Sequence, residues 1–348
     1  MTKPRSARLL EVLEPFPRVA VVTHDFPDPD AIAAGWAVAF LVKKQLGKPV
    51  RLIGGGTIVR AENRWMMDLL KPPLELVDEI DDAEGLGTVL VDCGPASGNH
   101  LLARRAMEPV VHIDHHASSV ARGSGVKFRD VRPRAAATAS IAAGYLREQQ
   151  LVPGAALATA MLYAFKAETQ GHETHYTRSD RAVFAWLTQH ADLSKLAEIE
   201  NAPLARAYFS DLVLALQSTF LYDDVAFALL PRAAGPETVA EVADLLVRCE
   251  SIGRVFCGAL VGHDLAVSVR TSPGAGNAGE LAREVLAGLG DGGGHEHRGG
   301  GQVRAVSESG KLSSELVEKL RHRWLTACAI QQQRGTRLVA KREIIGNL

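Results

Sequence analysis

The stretch VAVVTHDFPDPDAIA, residues 19–33, changes character twice within a few positions. Val19–Thr23 is a run of β-forming residues. His24-Asp25-Phe26-Pro27-Asp28-Pro29-Asp30 then interleaves carboxylates with prolines, and an apolar helix follows from Asp30 to Lys44. Two more β-type runs end in the same kind of side chain: Thr88–Val91 in Asp92, and Val110–Ile113 in Asp114-His115-His116. An open α/β sheet presents its ligand crevice where the C-terminal ends of its strands meet. Five carboxylates (Asp25, Asp28, Asp30, Asp92, Asp114) and three imidazoles (His24, His115, His116) are therefore expected to converge. Carboxylates crowded in that way repel and raise one another's pKa values. Bound divalent metal, two ions, resolves the repulsion.

Each proline of residues 24–30 fixes φ and restrains the residue before it, so Asp28 and Asp30 sit in a rigid turn. Taken alone, the two carboxylates read equally well as caps of the following helix. The two further strand ends tip the reading toward metal. Asp92 stands alone at its strand end, where a carboxylate between two cations is a natural bridge. Asp114 is placed to orient a neighbouring imidazole, as carboxylates beside metal-binding histidines commonly do.

Outward from these strand ends, the alternation of strands and helices predicts a parallel sheet with crossover helices. The expected fold class is α/β in two domains, which suits 348 residues. The N-terminal parallel-sheet domain spans residues 1–190, a connector broken near Pro203 spans 191–209, and a smaller α/β domain spans 210–348. In that second domain Pro236–Cys249 reads as a helix, Arg254–Val261 and Leu265–Arg270 as a hairpin, and Ala278–Leu289 as a helix. Gln302–Ser307 reads as a strand and Ser313–Cys328 as the last helix. Gly292–Gly301 is glycine-rich but interrupted by His295, His297 and Arg298, so it is not a linker.

The formal net charge of −1 supplies no overall basic field for long nucleic acid, and a short or small anionic substrate fits better. Cys93, Cys249, Cys257 and Cys328 form no CxxC pair, which points to reduced thiols that pack. Met1–Pro15 has no signal-type apolar run and Ala31–Val42 is too short to span a bilayer, so a cytoplasmic location is expected. The acidic run Val77–Glu84 reads as a solvated loop. His172, His175 and Arg178 read as loop residues, and Trp36, Trp65, Trp186 and Trp324 as core.

In combination the strand-end segments resemble the DHH phosphoesterase family, which includes RecJ-like exonucleases. The family's first motif is matched by His24, Pro27, Asp28, Asp30 and Ala31, its second by Asp92, and its name-giving third by Asp114-His115-His116. Pro133 and Thr138 continue the likeness, and Gly292-Gly293-Gly294-His295 looks like the glycine-rich motif of the DHH-associated domain. The resemblance implies two Mn²⁺ ions, with Mg²⁺ as the alternative: one held by His24, Asp28 and Asp92, the other by Asp30, Asp92, His115 and a fourth-motif carboxylate. Where that motif usually reads Thr-Asp-Thr, this chain has Ala167-Glu168-Thr169, so Glu168 is the expected ligand with one extra methylene. Nitrogen and oxygen donors without thiolate suit these ions. The resemblance gives His116 a phosphoryl contact, and gives Arg270, Gly293, Gly294 and His295 a substrate-binding role. In its own terms Arg270 reads equally as a surface ion-pair residue, and His295 as part of a surface turn.

Two divalent ions roughly 3.5–4 Å apart can neutralise a phosphoryl group during in-line displacement. Length and layout are similar to the compact stand-alone members that act as oligoribonuclease and 3′-phosphoadenosine 5′-phosphate (pAp) phosphatase. The expected activity is hydrolysis of very short RNA, of pAp, or of both, without long duplex or membrane partners; a homodimer is implied at family level. Cyclic dinucleotides or their linear products such as pApA are the alternative substrates. A nucleotide-binding regulator with weak turnover is the alternative of another class.

Overall fold

The fold comes from a computed structural model and is described for residues 3–81, 83–116, 125–169, 176–307, 310–332 and 334–339. The chain divides into two compact units, Met1–Pro203 and Leu204–Leu348. Among the described residues no helix is long and apolar enough to cross a membrane.

In the first unit the elements run α1 (Arg5–Leu13), β1 (Arg18–Val22), α2 (Pro29–Leu46), β2 (Val50–Gly54), α3 (Ala61–Leu70), β3 (Leu74–Leu76), β4 (Leu86–Val91), α4 (Leu101–Arg104), β5 (Val111–Asp114) and β6 (Phe128–Val131). Helices α5 (Thr138–Glu148), α6 (Ala155–Thr169), α7 (Arg178–Thr188) and α8 (Leu193–Glu200) follow. Six parallel strands lie in the order β3-β2-β1-β4-β5-β6. Side chains alternate across each strand. Val19, Val21, Val89 and Val91 enter a large core with α1, α2, α5 and α6, whereas Ala20, Val22 and Leu90 enter a smaller one with Leu101 and Leu102 of α4. Both faces of the sheet are thus covered, which is why these strands read as continuous apolar runs. The chain goes from β1 outward to β3 and then returns to place β4 on the other side of β1. That reversal opens a crevice at the C-terminal ends of β1 and β4.

The second unit runs α9 (Arg206–Ser218), β7 (Phe220–Tyr222), β8 (Val225–Leu230), α10 (Pro236–Leu246), β9 (Arg254–Val261), β10 (Asp264–Thr271), α11 (Ala278–Leu286), β11 (Asp291–Gly294), β12 (Arg298–Val303), α12 (Ser314–Ala327) and β13 (Thr336–Arg337). Its mixed sheet has the order β11-β12-β10-β9-β8-β7-β13, with only β8 and β9 parallel. One core joins Phe227, Phe256, Val285 and Leu286 to Trp324, whose Nε1 donates to Ala226 O at 3.0 Å; another joins Val255 and Ala259 to Val239 and Leu246 of α10.

One expectation fails here. The strand expected at Gln302–Ser307 runs instead over Arg298–Val303, and the glycine-rich stretch forms the β11–β12 hairpin. The glycines let this hairpin lie directly against α11. A Cβ on Gly292 would stand 2.6 Å from Ala282 O, one on Gly299 2.3 Å from Ala278 O, and one on Gly279 2.5 Å from Gly294 O.

Candidate metal centre

After β1 the chain turns sharply. Phe26 adopts a left-handed φ of 54° and its N–H donates to Gly55 O at 2.9 Å. Such a backbone is rare for a bulky residue and is held here by the β2 loop. Asp28 is then the N-cap of α2, accepting from Asp30 N at 2.9 Å and Ala31 N at 3.0 Å, with Pro29 in the first helical turn. The capping role and the position beside His24 coexist, because His24 Nε2 lies 3.8 Å from the same Asp28 oxygen.

Asp30 points inward from the first turn of α2. Its two oxygens accept from Thr138 N and Ala139 N, each at 2.7 Å. Helix α5 begins after Ala137, which has no capping side chain, so Asp30 satisfies the exposed amides of that N-terminus from another element. Asp92 follows β4 with a left-handed φ of 62° and is 3% exposed. Thr138 Oγ1 donates to Asp92 Oδ1 at 2.7 Å. Thr138 thereby orients two of the three central carboxylates. Outside the family likeness, the signal for Thr138 in the sequence is a hydroxyl at the start of a helix.

β5 delivers Asp114, His115 and His116. His115 Nε2 lies 3.7 Å from Asp30 Oδ2, 3.7 Å from Asp92 Oδ1 and 4.0 Å from Glu168 Oε2. Glu168 reaches this group from the last turn of α6. His116 donates its backbone N–H to Asp114 Oδ1 at 2.9 Å, and its Nδ1 is 2.8 Å from the same oxygen.

Ligating atoms of His24, Asp28 and Asp92 lie within 4.8 Å of one another, as do those of Asp30, Asp92 and His115. A third such group, Asp92, Asp114 and His116, shares Asp92 as well. The electrostatics match a cation site. Burial and then the charges of Glu168 and Asp28 push Asp30 up to about 8. Burial and the neighbouring Asp30 and Asp28 likewise hold Asp92 well above the usual carboxylate range. Burial opposes the protonation of His24, but Asp28 outweighs it and carries the imidazole up to about 9. These shifts show carboxylates whose charge the protein alone does not neutralise. The donor set fits divalent metal use, and the nitrogen and oxygen donors match what such ions require.

Four of the five strand-end carboxylates gather as expected; Asp25 does not. The turn at Phe26 sends it away, and Asp25 Oδ2 instead pairs with Arg104 Nη2 at 2.7 Å. Gly55 leaves room for that pair, since a Cβ there would meet Asp25 Oδ1. Cys93 is buried, and burial raises its thiol well above the ordinary value, as a packing role requires. Among the tryptophans, Trp324 is fully buried, whereas Trp36, Trp65 and Trp186 pack partly buried against the first core.

The remaining candidates lie in the second unit. Arg270 is not on the surface: it is 7% exposed, pairs through Nε with Asp244, and donates from Nη1 to Ser268 Oγ at 2.7 Å and Val269 O at 2.9 Å. Gly293 and Gly294 belong to β11, and His295 is exposed at the turn that follows. Asp82, Arg122, Gly123, His172 and His175 lie outside the described residues, and Arg178 opens α7 in an exposed position.

No family model matches the chain. A curated protein of Methanocaldococcus jannaschii, itself uncharacterized, is 28% identical over 319 residues, which is 90% of this chain. The chain spans 64% of that relative's length. A solved exopolyphosphatase-related protein from Bacteroides fragilis has the same fold, with a TM-score of 0.68 at 14% identity over 94% of this chain and 99% of that one. A putative family II inorganic pyrophosphatase from Methanococcus jannaschii is more distant, with a TM-score of 0.44 at 16% identity over 88% and 99%. The likeness to the exopolyphosphatase-related protein is one of fold.

Proposed function

We propose that the protein is a divalent-metal-dependent phosphoesterase that hydrolyses very short oligoribonucleotides, pAp, or both. The observation that carries this reading is Asp92, which belongs both to the group with His24 and Asp28 and to the group with Asp30 and His115. Two Mn²⁺ ions, or Mg²⁺, held by those residues and Glu168 would supply charge neutralisation to a phosphoryl group in in-line displacement. The chain's own side chains do the rest. Asp30 and Asp92 are oriented by Thr138 and the α5 amides, so the donors are in place before a ligand arrives. His116 has Nδ1 engaged by Asp114 and is proposed to contact the phosphoryl group through its ring. Gly293, Gly294, His295 and Arg270 are proposed to receive the substrate.

The test is release of phosphate and mononucleotide from pAp, pApA, a short RNA ladder and cyclic di-AMP with Mn²⁺, on wild type and Asp92→Asn. Asparagine tolerates the left-handed backbone at this position and keeps an acceptor for Thr138, so the change removes charge with little strain. The expected loss exceeds the ~10–100-fold typical of residues that merely support a metal ligand. The fastest substrate names the role. Ligand binding without turnover on any of them would instead favour the regulator.

A further inference from the structure

Strand β5 reads Val-His-Ile-Asp, residues 111–114, and all four are buried. His112 and Asp114 are two apart, so they project from the same side of the strand. A histidine in the middle of a buried parallel strand is costly unless its ring finds a polar partner. His112 is 0% exposed, and Leu90 is its neighbour across the ladder on β4. The polar group its ring does meet is Asp114: His112 Nε2 lies 3.4 Å from Asp114 Oδ2. Neither ring nitrogen has a hydrogen-bond partner among the described residues, so the approach to Asp114 is an electrostatic contact between a buried imidazole and a carboxylate. The other oxygen of Asp114 accepts both the backbone N–H and Nδ1 of His116.

We propose that His112 is a positioning residue for the site, acting through Asp114 to fix the ring orientation and tautomer of His116. The inference rests on the phosphoesterase reading only for its effect on turnover. An Nε2–H on His112 is the tautomer that would suit this contact, since a carboxylate oxygen can only accept. With His112 facing Oδ2 from the buried side, Oδ1 is presented to His116, whose Nδ1 then carries a proton. A carboxylate behind a working imidazole sets tautomer and orientation in this way. What β5 adds is a second imidazole behind the carboxylate, so that Asp114 is flanked by a ring on each side.

The experiment compares full-length His112→Leu, His112→Gln and His112→Asn with wild type. Glutamine can carry its N–H to where Nε2 stood; asparagine remains polar but ends near the position of Nδ1. Two readouts are taken: the ¹⁵N chemical shifts of the His116 ring, and kcat and KM on the fastest substrate. Expected is a wild-type His116 with its proton on Nδ1, retained in His112→Gln and lost to a tautomer mixture in His112→Leu and His112→Asn. Turnover should follow the same division, with kcat falling about tenfold or more and KM little changed. If His112→Leu does not fold, the Gln and Asn pair decides alone. Identical His116 spectra in all four proteins, or Gln and Asn variants equally slow, would overturn the proposal. If wild type turns over nothing in the panel, the phosphoesterase reading falls by itself and the His116 spectra still judge His112.

Discussion

Asp30 and His24 keep protons in the folded protein that they would release in the unfolded chain. Asp30 ionises near 4 when unfolded but is held up to about 8 when folded, and His24 is carried up to about 9. A raised pKa means stability that is fully present below the unfolded value and is lost as pH rises through the folded one. The chelator-treated protein is therefore expected to lose thermal stability steadily from about pH 4 to about pH 9. Below that window the sign reverses, because Asp28 and Asp114 are held low by their histidine partners and must then take up protons. Added Mn²⁺ should flatten the upper limb by neutralising Asp30 and Asp92. Melting curves across pH, with EDTA and with Mn²⁺, check this; a profile that rises from pH 5 to pH 8 without metal would contradict it. At this scale the sequence was largely readable, since short strands ending in Asp and His announce a strand-end site. Asp25 was misread because spacing along the chain does not report the left-handed turn at Phe26, which turns one carboxylate toward Arg104.

Among the elements, the β11–β12 hairpin shows why the second half was harder to read. Its residues, Asp291–Gly294 and Arg298–Val303, lack the β-branched and aromatic side chains that usually mark a strand. They pair because the neighbouring β10 supplies a partner and because α11 lies so close that side chains are excluded. That is a tertiary demand with no local periodicity to betray it. β6 carries no stronger local signal: only four residues long, it is fixed by its ladder with β5. Packing sets two of these glycines apart. Gly292→Ala would drive a Cβ to 2.6 Å from Ala282 O and should cost about 1–3 kcal/mol, as overpacking does. Gly293→Ala meets nothing within 4 Å and should leave the melting temperature unchanged. If Gly293→Ala nevertheless slows turnover, the open face of β11 is where substrate comes close; denaturant titration and the substrate panel separate the two effects.

At the level of the whole molecule, a parallel sheet could be expected from strand and helix alternation, but its order β3-β2-β1-β4-β5-β6 could not, and the reversal at β1 accounts for the position of the site. Every proposed metal donor, from His24 to Glu168, lies in the first unit, and that unit has its own sheet and core. Residues 1–203 produced alone should therefore fold cooperatively and bind Mn²⁺ with the stoichiometry of the full chain. Nucleotide turnover should require residues 204–348 in addition, because Arg270, Gly293, Gly294 and His295 are there. Isothermal titration with Mn²⁺ and the substrate panel on both proteins test the division. A first unit that folds but binds no Mn²⁺ would remove the metal centre from where it is drawn here.

The cap that Asp30 provides for α5 links the ion site to a particular pair of amides. Thr138 N–H and Ala139 N–H donate to the two oxygens that a cation would also claim. Deuterium uptake at these two positions is thus a local gauge of occupancy: it should change when Mn²⁺ is added, while the amides in the middle of α5 keep their rate. A molecule without natural colour or fluorescence at its centre would then report its metal load residue by residue, with no substrate present.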